Sequence, residues 1–407
     1  MYQNMKRLGG LFASSHKGGL TGFLGDPQKR HRKMAKDSKY IWQRTNWTDF
    51  SWQSDRLLSS LGKTRQTQGK IFVRVNALGV PLTNQAQAEI LTEEAMQTSA
   101  IEGEVLKRDS VRSSVARHLG LSPVGLPAAD RHIDGLVEIL LDATRNYKKP
   151  LTIKRLNSWH AALFPTGYSG LRKIRVGKWR TNDMQVVSGS VGKEKVHYQA
   201  PPAQRLQKEM QDFLNWWGKS EGTLEGFLRA AIAHFWFVTI HPFDDGNGRI
   251  ARALTDMALA QDEKLGIRFY SMSSQIMEER NDYYDVLEKC SKATSDLTQW
   301  LSWFLDCANR AMQKSEKIIG NVLAKADFWQ HHNQTILNER QRKVVNRLLD
   351  TGQGQFEGGL TTRKYVSLTK TSRATAFREI ADLLEKKILI QDPKNKGRSV
   401  RYDLNWG

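Results

Sequence analysis

Two stretches with helical spacing of apolar residues meet at one short polar loop. Residues 227–240 are nearly all apolar or small, with Phe227, Ala231 and Phe235 recurring at helical spacing. Residues 249–260 have the pattern of a second helix. The loop between them, within residues 239–252, reads Thr-Ile-His-Pro-Phe-Asp-Asp-Gly-Asn-Gly-Arg-Ile-Ala-Arg. The pattern therefore predicts a buried helix, a polar loop and a second helix that begins at the glycines of the loop.

Helical spacing continues over most of the remaining chain, which is therefore expected to be mainly α. Strand-like alternation around glycines predicts a β-hairpin over residues 184–198, and a second hairpin is predicted over 388–402. The other helices are predicted over 83–107, with Thr83 as N-cap, and over 131–147, 153–163, 297–325, 340–349, 361–368 and 372–386.

Composition indicates a soluble, cytoplasmic protein. The 407 residues, 39% of them hydrophobic, are enough for more than one domain. The sequence has no apolar run of about 18 residues, so no membrane span is expected. Its two cysteines, Cys290 and Cys307, are too few for a disulfide framework and fit core positions in a reducing compartment.

Charge and composition also suggest domain boundaries. Lys and Arg number 62 against 42 Asp and Glu, a net charge of +20 that favours nucleic acid, acidic proteins or phosphates without choosing among them. Residues 1–38 are expected to be a disordered basic tail or a non-native extension, with Met34 as an alternative start. The remaining boundaries are predicted as an N-terminal helical domain over 39–120, a core over 121–325 and a C-terminal unit over 335–407.

The loop carries the groups that bind an anion. Gly246 and Gly248 let backbone N–H groups at a helix N-terminus point toward one place, where the helix dipole also favours negative charge. Asn247 between them can donate its amide to a phosphate oxygen. Arg249 and Arg252 are three residues apart, so both guanidinium groups lie on one helix face near that terminus. The loop is predicted to bind phosphate.

Two further residues of the loop are candidates for metal binding and for proton transfer. Asp245 is a hard oxygen ligand that suits Mg²⁺ held jointly with phosphates. His241, at the start of the loop, is the natural general base.

The order His-x-Phe-x-Asp-Gly-Asn-Gly-Arg-x-x-Arg resembles the signature of Fic-domain proteins. The resemblance implies a Fic-type helical bundle that transfers AMP from ATP, with Mg²⁺, to a Ser, Thr or Tyr hydroxyl of a target protein or of the chain itself. The phosphorylating Doc branch departs from Gly-Asn-Gly here, so AMP transfer is favoured over phosphate transfer. The specified positions are filled by His241, Phe243, Asp245, Gly246, Asn247, Gly248, Arg249 and Arg252.

Residues 98–103, Thr-Ser-Ala-Ile-Glu-Gly, resemble the inhibitory motif of the same family. The resemblance implies that Glu102 pairs with Arg252 while Thr98 steadies the motif helix. Such an ion pair removes the charge that would hold the γ-phosphate and leaves a carboxylate in its place, so Glu102 is predicted to inhibit transfer.

Two other segments resemble substrate-binding parts of Fic proteins. The hairpin over 184–198 resembles the flap that pairs with the backbone of a target, and its flap residues would be Val186, Val187, Ser188 and Gly189. Residues 281–287 resemble the segment that lines the adenine pocket. Tyr283 or Tyr284 could stack on the base, and the sequence leaves open which of them does.

The C-terminal unit resembles a winged helix-turn-helix domain, with 15 basic and 8 acidic residues over 335–407. Such domains bind DNA or dock proteins, and both alternatives stay open. DNA would be contacted by Thr369, Lys370, Thr371, Arg373, Thr375 and Arg378, with Lys394, Lys396 and Arg398 on phosphates or in the minor groove.

The function predicted from these features is that of a protein adenylyltransferase inhibited by Glu102. One alternative is a DNA-binding regulator whose Fic core senses nucleotide or modifies itself. Another is removal of AMP from a modified protein, because a carboxylate such as Glu102 can orient a water molecule. The sequence determines neither the target protein nor the oligomeric state, and a homodimer is one option.

Overall fold

The chain divides into two compact units. The larger contains the described residues up to 76 and within 87–315, and the smaller contains those within 78–86 and 316–406. The predicted tail over 1–38, the flap residue Gly189, and Lys394, Lys396 and Arg398 lie outside the described residues. The computed structural model describes residues 39–76, 78–122, 126–128, 130–188, 195–352, 356–391 and 400–406.

Helices make up most of the described chain, as predicted. Each described helix is too short or too polar to cross a membrane. The helices are α1 (Ser54–Asn76), α2 (Val80–Ile101), α3 (Arg108–Leu119), α4 (Arg131–Arg145), α5 (Ile153–Leu163), α6 (Leu206–Ser220), α7 (Gly226–Ile240), α8 (Asn247–Glu263), α9 (Met272–Glu278), α10 (Arg280–Ser291), α11 (Thr298–His331), α12 (Glu339–Thr351), α13 (Thr362–Thr369) and α14 (Arg373–Glu385).

The described strands form three short antiparallel hairpins. Both predicted hairpins are present, and the pair β1–β2 was not predicted because each of its strands has only two residues. The strands are β1 (Tyr168–Ser169), β2 (Arg172–Lys173), β3 (Gln185–Ser188), β4 (Lys195–Gln199), β5 (Leu389–Gln391) and β6 (Tyr402–Leu404).

The helix that leads into residues 98–103 differs at both ends from the prediction. It was expected over 83–107 with Thr83 as N-cap, but it begins at Val80 and ends at Ile101. Thr83 lies inside the first turn, where its N–H donates to Gly79 O at 3.0 Å. At the other end Gly103 has a φ of 86°, a left-handed conformation that ends the helix.

The core of the larger unit is built around α7. All of its residues except Val238 are buried, because the helix is apolar on every side. The Trp300 indole N–H donates to Ala231 O at 2.8 Å, which joins α11 to α7. The loop that follows α7 is therefore attached to a rigid, fully packed helix.

The smaller unit packs α12, α13 and α14 against the β5–β6 hairpin. Its core includes Val344, Leu348, Tyr365 and Leu383. Backbone hydrogen bonds between Leu360 and Tyr402 extend the sheet by one more bridge.

Candidate active site

His241 ends α7 in the left-handed conformation, with a φ of 52°. Its Nδ1 lies 3.0 Å from Val238 O. Because a carbonyl oxygen can only accept, Nδ1 carries the proton and Nε2 is left as the basic nitrogen. Burial lowers the pKa of His241 from its ordinary 6.5, against the opposing effect of the bond to Val238. The imidazole is therefore neutral at pH 7, as a general base must be.

Asn247 holds the loop in shape. Its Oδ1 accepts from Phe243 N at 2.9 Å, and its Nδ2 donates to Phe243 O at 2.9 Å. One N–H of the amide is therefore engaged within the loop, and donation of the second N–H of Nδ2 to a phosphate stays a prediction. The side chain stabilises the turn from which α8 begins.

The two glycines occupy places where a Cβ would collide. Gly246, the N-cap of α8, has a φ of 76°, and a Cβ there would lie 2.9 Å from Phe164 Cε2. A Cβ on Gly248 would lie 2.2 Å from Glu102 Oε1. The second glycine thus allows Glu102 to approach the first turn of α8 closely.

Arg252 is bound by the motif at the end of α2. Its Nε donates to Thr98 Oγ1 at 2.7 Å, and its Nη2 donates to Thr98 O at 2.9 Å and to Glu102 Oε1 at 2.7 Å. The structure thus brings together the three residues that the motif predicted. The Arg252 side chain is 1% exposed, and its Nη1 is buried with no partner among the described residues. An unpaired buried donor next to the loop suits an anionic ligand.

The other arginine of the loop has a different environment. The Arg249 guanidinium lies over the Phe164 ring, 5.0 Å from its centroid. Its Nη1 lies 3.2 Å from an oxygen of Glu104, a residue that the sequence did not single out.

Asp245 is oriented by its neighbours. Ser169 Oγ donates to Asp245 Oδ2, and Gly246 N donates to Asp245 Oδ1 at 2.5 Å. In the described part of the chain no group of three or more His, Cys, Asp or Glu side chains could hold a metal ion. Mg²⁺ is commonly bound by only one or two carboxylates together with substrate phosphates. A single oriented carboxylate beside an anion site therefore fits this metal.

A cavity of about 190 Å³ opens beside these residues. The loop, the inhibitory motif, the flap hairpin and α10 all contribute to its wall. Its lining is formed by Glu102, Gln185, Val186, His197, Tyr198, Phe235, Val238, Thr239, His241, Asp245, Gly246, Asn247, Gly248, Tyr283, Tyr284, Leu287, Glu288 and Ser291.

The structure distinguishes the two tyrosines of α10. Tyr283 is buried and its hydroxyl bonds His234 Nε2 at 2.9 Å, which makes it mainly a core residue. Tyr284 is half-buried, and the Arg280 guanidinium lies 5.2 Å from its ring centroid. Both rings line the cavity, and Tyr284 is the more exposed of the two.

The β3–β4 hairpin, predicted as a flap, also lines the cavity. Val186 lines the cavity, and the register of β3 against β4 shifts between Val186 and Val187. Ser188 pairs with Lys195 at the end of the described hairpin. From β4, His197 Nδ1 lies 2.6 Å from Glu288 Oε2 on α10, so two residues of the cavity lining join the hairpin to α10.

Sequence reasoning missed several residues that position the loop. Arg180 is buried, and its Nε donates to His241 O at 2.8 Å. The His160 ring stacks on Phe243 with centroids 4.2 Å apart, and burial lowers the pKa of His160 to about 4. Both residues, like Ser169, are distant in sequence from the loop, and only the fold brings them there.

The fold resembles that of solved Fic proteins. A Fic family protein from Desulfovibrio desulfuricans superposes with a TM-score of 0.50 at 18% identity, covering 86% of this chain and 96% of that one. Residues 150–259 match the family model described as Fic/DOC family. Residues 40–121 match the model described as Domain of unknown function (DUF4172). The chain therefore carries a Fic/DOC domain, and the predicted fold class is confirmed.

Two curated relatives are named for an activity. The protein adenylyltransferase Fic of Nematostella vectensis is 34% identical over 116 residues, which are 28% of this chain and 25% of that protein. A probable protein adenylyltransferase of Aquifex aeolicus is 25% identical over 179 residues, which are 41% of this chain and 50% of that protein. The chain thus spans between a quarter and half of the length of these relatives.

Proposed function

We propose that the chain is a protein adenylyltransferase that transfers AMP from ATP to a hydroxyl group of a protein. The observation that carries the proposal is the His241 side chain, whose Nδ1 is fixed on Val238 O while the ring lines the same cavity as Asp245 and Gly246–Gly248. A neutral base and an anion-binding helix N-terminus at one cavity are what attack on a nucleotide phosphate requires. The names of the two curated relatives support the same activity.

The proposed reaction transfers one proton, forms one phosphorus–oxygen bond and breaks another. A Ser, Thr or Tyr hydroxyl gives its proton to His241 Nε2 as its oxygen attacks the α-phosphorus. The bond from the α-phosphorus to the oxygen that bridges to the β-phosphate breaks, and pyrophosphate leaves. The N–H groups of the first turn of α8 stabilise the developing negative charge. The products are an AMP-modified protein and pyrophosphate.

The residues around the cavity suggest contacts to the metal ion, to the adenine base and to the target protein. Asp245, oriented by Ser169, would hold Mg²⁺. When bound, that ion would neutralise phosphate charge. Tyr284 would stack on adenine, and the strand edge of β3 at Val186, Val187 and Ser188 would pair with the backbone of the target. Gly189 belongs to the same proposed flap.

We propose that Glu102 inhibits this reaction. Its carboxylate forms an ion pair with the Arg252 guanidinium. While that ion pair persists, the arginine cannot bind the γ-phosphate. Removal of AMP from a modified protein is an alternative that uses the same carboxylate to orient a water molecule.

The position of a radioactive label tests the reaction. The Glu102→Gly variant is incubated with Mg²⁺ and with ATP labelled at the α- or the γ-phosphate, together with a mixture of proteins as acceptors. AMP transfer predicts α-label on protein and no γ-label, and the signal should disappear when His241→Ala is added to the variant. Protein-bound γ-label would instead indicate phosphate transfer and overturn the proposal.

A second proposed function concerns the smaller unit, which we infer to be a winged helix that binds DNA. Phe377 on α14 is 64% exposed, and Arg373 and Arg378 are exposed on the same helix. Exposed arginines suit phosphates and guanine, and an apolar side chain suits the thymine methyl group. The exposed apolar side chain between two exposed arginines supports DNA contact over an incidental solvated helix face.

Salt-dependent binding of the full chain to duplex DNA tests this inference. The variant Arg373→Glu/Arg378→Glu should bind weakly and lose much of the salt dependence. The control Lys148→Glu/Lys149→Glu changes the same charge at exposed positions of the larger unit and should bind like the unmodified chain. Equal binding by both variants would exclude DNA contact through α14.

A further inference from the structure

A second carboxylate from the same turn contacts the other arginine of the loop. Glu104 follows Glu102 by two residues, and its Oε2 lies 3.2 Å from Arg249 Nη1. The Arg249 side chain is 11% exposed and the Glu104 side chain is 39% exposed. Each arginine of the signature is thus paired with its own acidic residue.

The two acidic residues form one structural unit. The backbone N–H groups of Glu102 and Glu104 both donate to Ser99 O, each at 3.0 Å. Gly103 between them has a φ of 86°, which permits this tight turn. His132 Nε2 lies 3.5 Å from the other oxygen of Glu104, Oε1. The turn therefore carries both carboxylates on one short segment, and each carboxylate contacts one arginine.

Arg249 directly follows a residue of the cavity wall. Its backbone neighbour Gly248 lines the cavity wall, as Glu102 does, whereas the Arg249 side chain lies over Phe164 and reaches Glu104. The Arg249 Nε is buried with no hydrogen-bond partner among the described residues. A buried guanidinium nitrogen without an acceptor indicates that this arginine has a further ligand to bind.

We propose that Glu104 is a second inhibitory carboxylate, which holds Arg249 away from the nucleotide phosphates while Glu102 holds Arg252. This inference rests on the proposed nucleotide site and extends its regulation. A bound phosphate and the Glu104 carboxylate compete for the same guanidinium, since both are acceptors that Arg binds through charge-assisted hydrogen bonds. Release of the turn frees both arginines together, whereas loss of Glu102 alone frees only Arg252.

Nucleotide binding tests the competition without turnover. ATP affinity is measured by calorimetry in a His241→Ala background, with and without Glu104→Gln, and separately with Glu104→Ala. Either substitution should tighten binding by about two- to fivefold, the effect expected of an ion pair with one partly exposed member. The control Glu278→Gln removes a partly exposed ion pair with Lys314 elsewhere and should leave ATP affinity unchanged.

Transfer activity supplies the second comparison. Glu102→Gly/Glu104→Gln should incorporate about two- to fivefold more α-label at low ATP than Glu102→Gly, through a lower KM for ATP. Equal or weaker ATP binding and an equal or higher KM would overturn the role of Glu104 while leaving the proposed function intact. If no variant transfers label, the proposed function fails, and the calorimetric comparison still decides whether Glu104 competes for Arg249.

Discussion

Glu102 Oε1 accepts a hydrogen bond from Arg252 Nη2 at 2.7 Å, across 150 residues of sequence. The arginine is almost fully buried, so this pair is screened by solvent much less than a surface ion pair. The same guanidinium is fixed by Thr98 through its side chain and its carbonyl oxygen. In the proposed function, the position of this one arginine decides whether the nucleotide is bound productively.

Thr98 should contribute to inhibition through a single oxygen atom. Thr98→Val keeps the shape of the side chain but removes the acceptor of Arg252 Nε. Leaving a buried charged donor unpaired costs about 1–3 kcal/mol. We expect lower stability in urea unfolding and higher basal transfer than in the unmodified chain. Thr92→Val, which removes a hydroxyl bonded only within its own helix, is the control. Unchanged stability and transfer in Thr98→Val would show that the threonine does not hold the arginine.

Gly246 should be intolerant of a side chain. The left-handed φ of 76° and the 2.9 Å approach of a Cβ to Phe164 Cε2 both oppose Gly246→Ala. The expected destabilisation is roughly 1–3 kcal/mol, together with loss of transfer. Gly62→Ala, in the interior of α1 with open space around it, should instead stabilise by about 0.5–1 kcal/mol. Denaturant unfolding of the two variants distinguishes strain at the loop from a general effect of losing glycine.

The pH dependence of transfer should reflect the environment of His241. Burial lowers its pKa from the ordinary 6.5, so the neutral, basic form persists to a lower pH than in a free histidine. The rate should therefore be constant from pH 8 to about 6.5 and decline only below that value, as the ring becomes protonated. The rate is measured in the Glu102→Gly variant. An acid limb centred above 6.5 would be inconsistent with a buried neutral base.

Ser169 should affect the metal requirement. Its hydroxyl orients the carboxylate that we propose as the Mg²⁺ ligand, and loss of such a supporting bond commonly weakens metal binding by about 10- to 100-fold. Ser169→Ala should therefore need more Mg²⁺ for half-maximal transfer and bind Mn²⁺ more weakly in the presence of ATP. The control Ser295→Ala removes a hydroxyl bonded to Trp47 O, outside the cavity. An unchanged Mn²⁺ affinity in Ser169→Ala would assign the hydroxyl a purely structural role.

The sequence predicted those parts of the site that short motifs carry. The polar loop, the buried helix before it and the pairing of Glu102 with Arg252 were all predicted from such motifs, and the structure brings those residues together. The bonds of Asn247 to Phe243 were not predictable, because an amide between two glycines suits a phosphate as well as it suits the backbone.

Residues that contact the loop from distant parts of the sequence were missed for a physical reason. Arg180, His160 and Ser169 have ordinary sequence neighbours, and their roles arise only when the hairpins and α5 pack against the loop. The predicted start of α2 was wrong because threonine is a common N-cap residue, which favoured Thr83. The helix in fact begins with Val80 and Pro81 in its first turn. Such local preferences are weak beside the packing of the whole helix.

The yield of α-label on protein from Glu102→Gly, compared with the unmodified chain and with Glu102→Gly/His241→Ala, tests the central claim most directly. The account predicts low incorporation by the unmodified chain, a clear increase when the carboxylate on Arg252 is removed, and a return to background when the base is also removed. Equal incorporation by the unmodified chain and Glu102→Gly, or label that persists without His241, would contradict it.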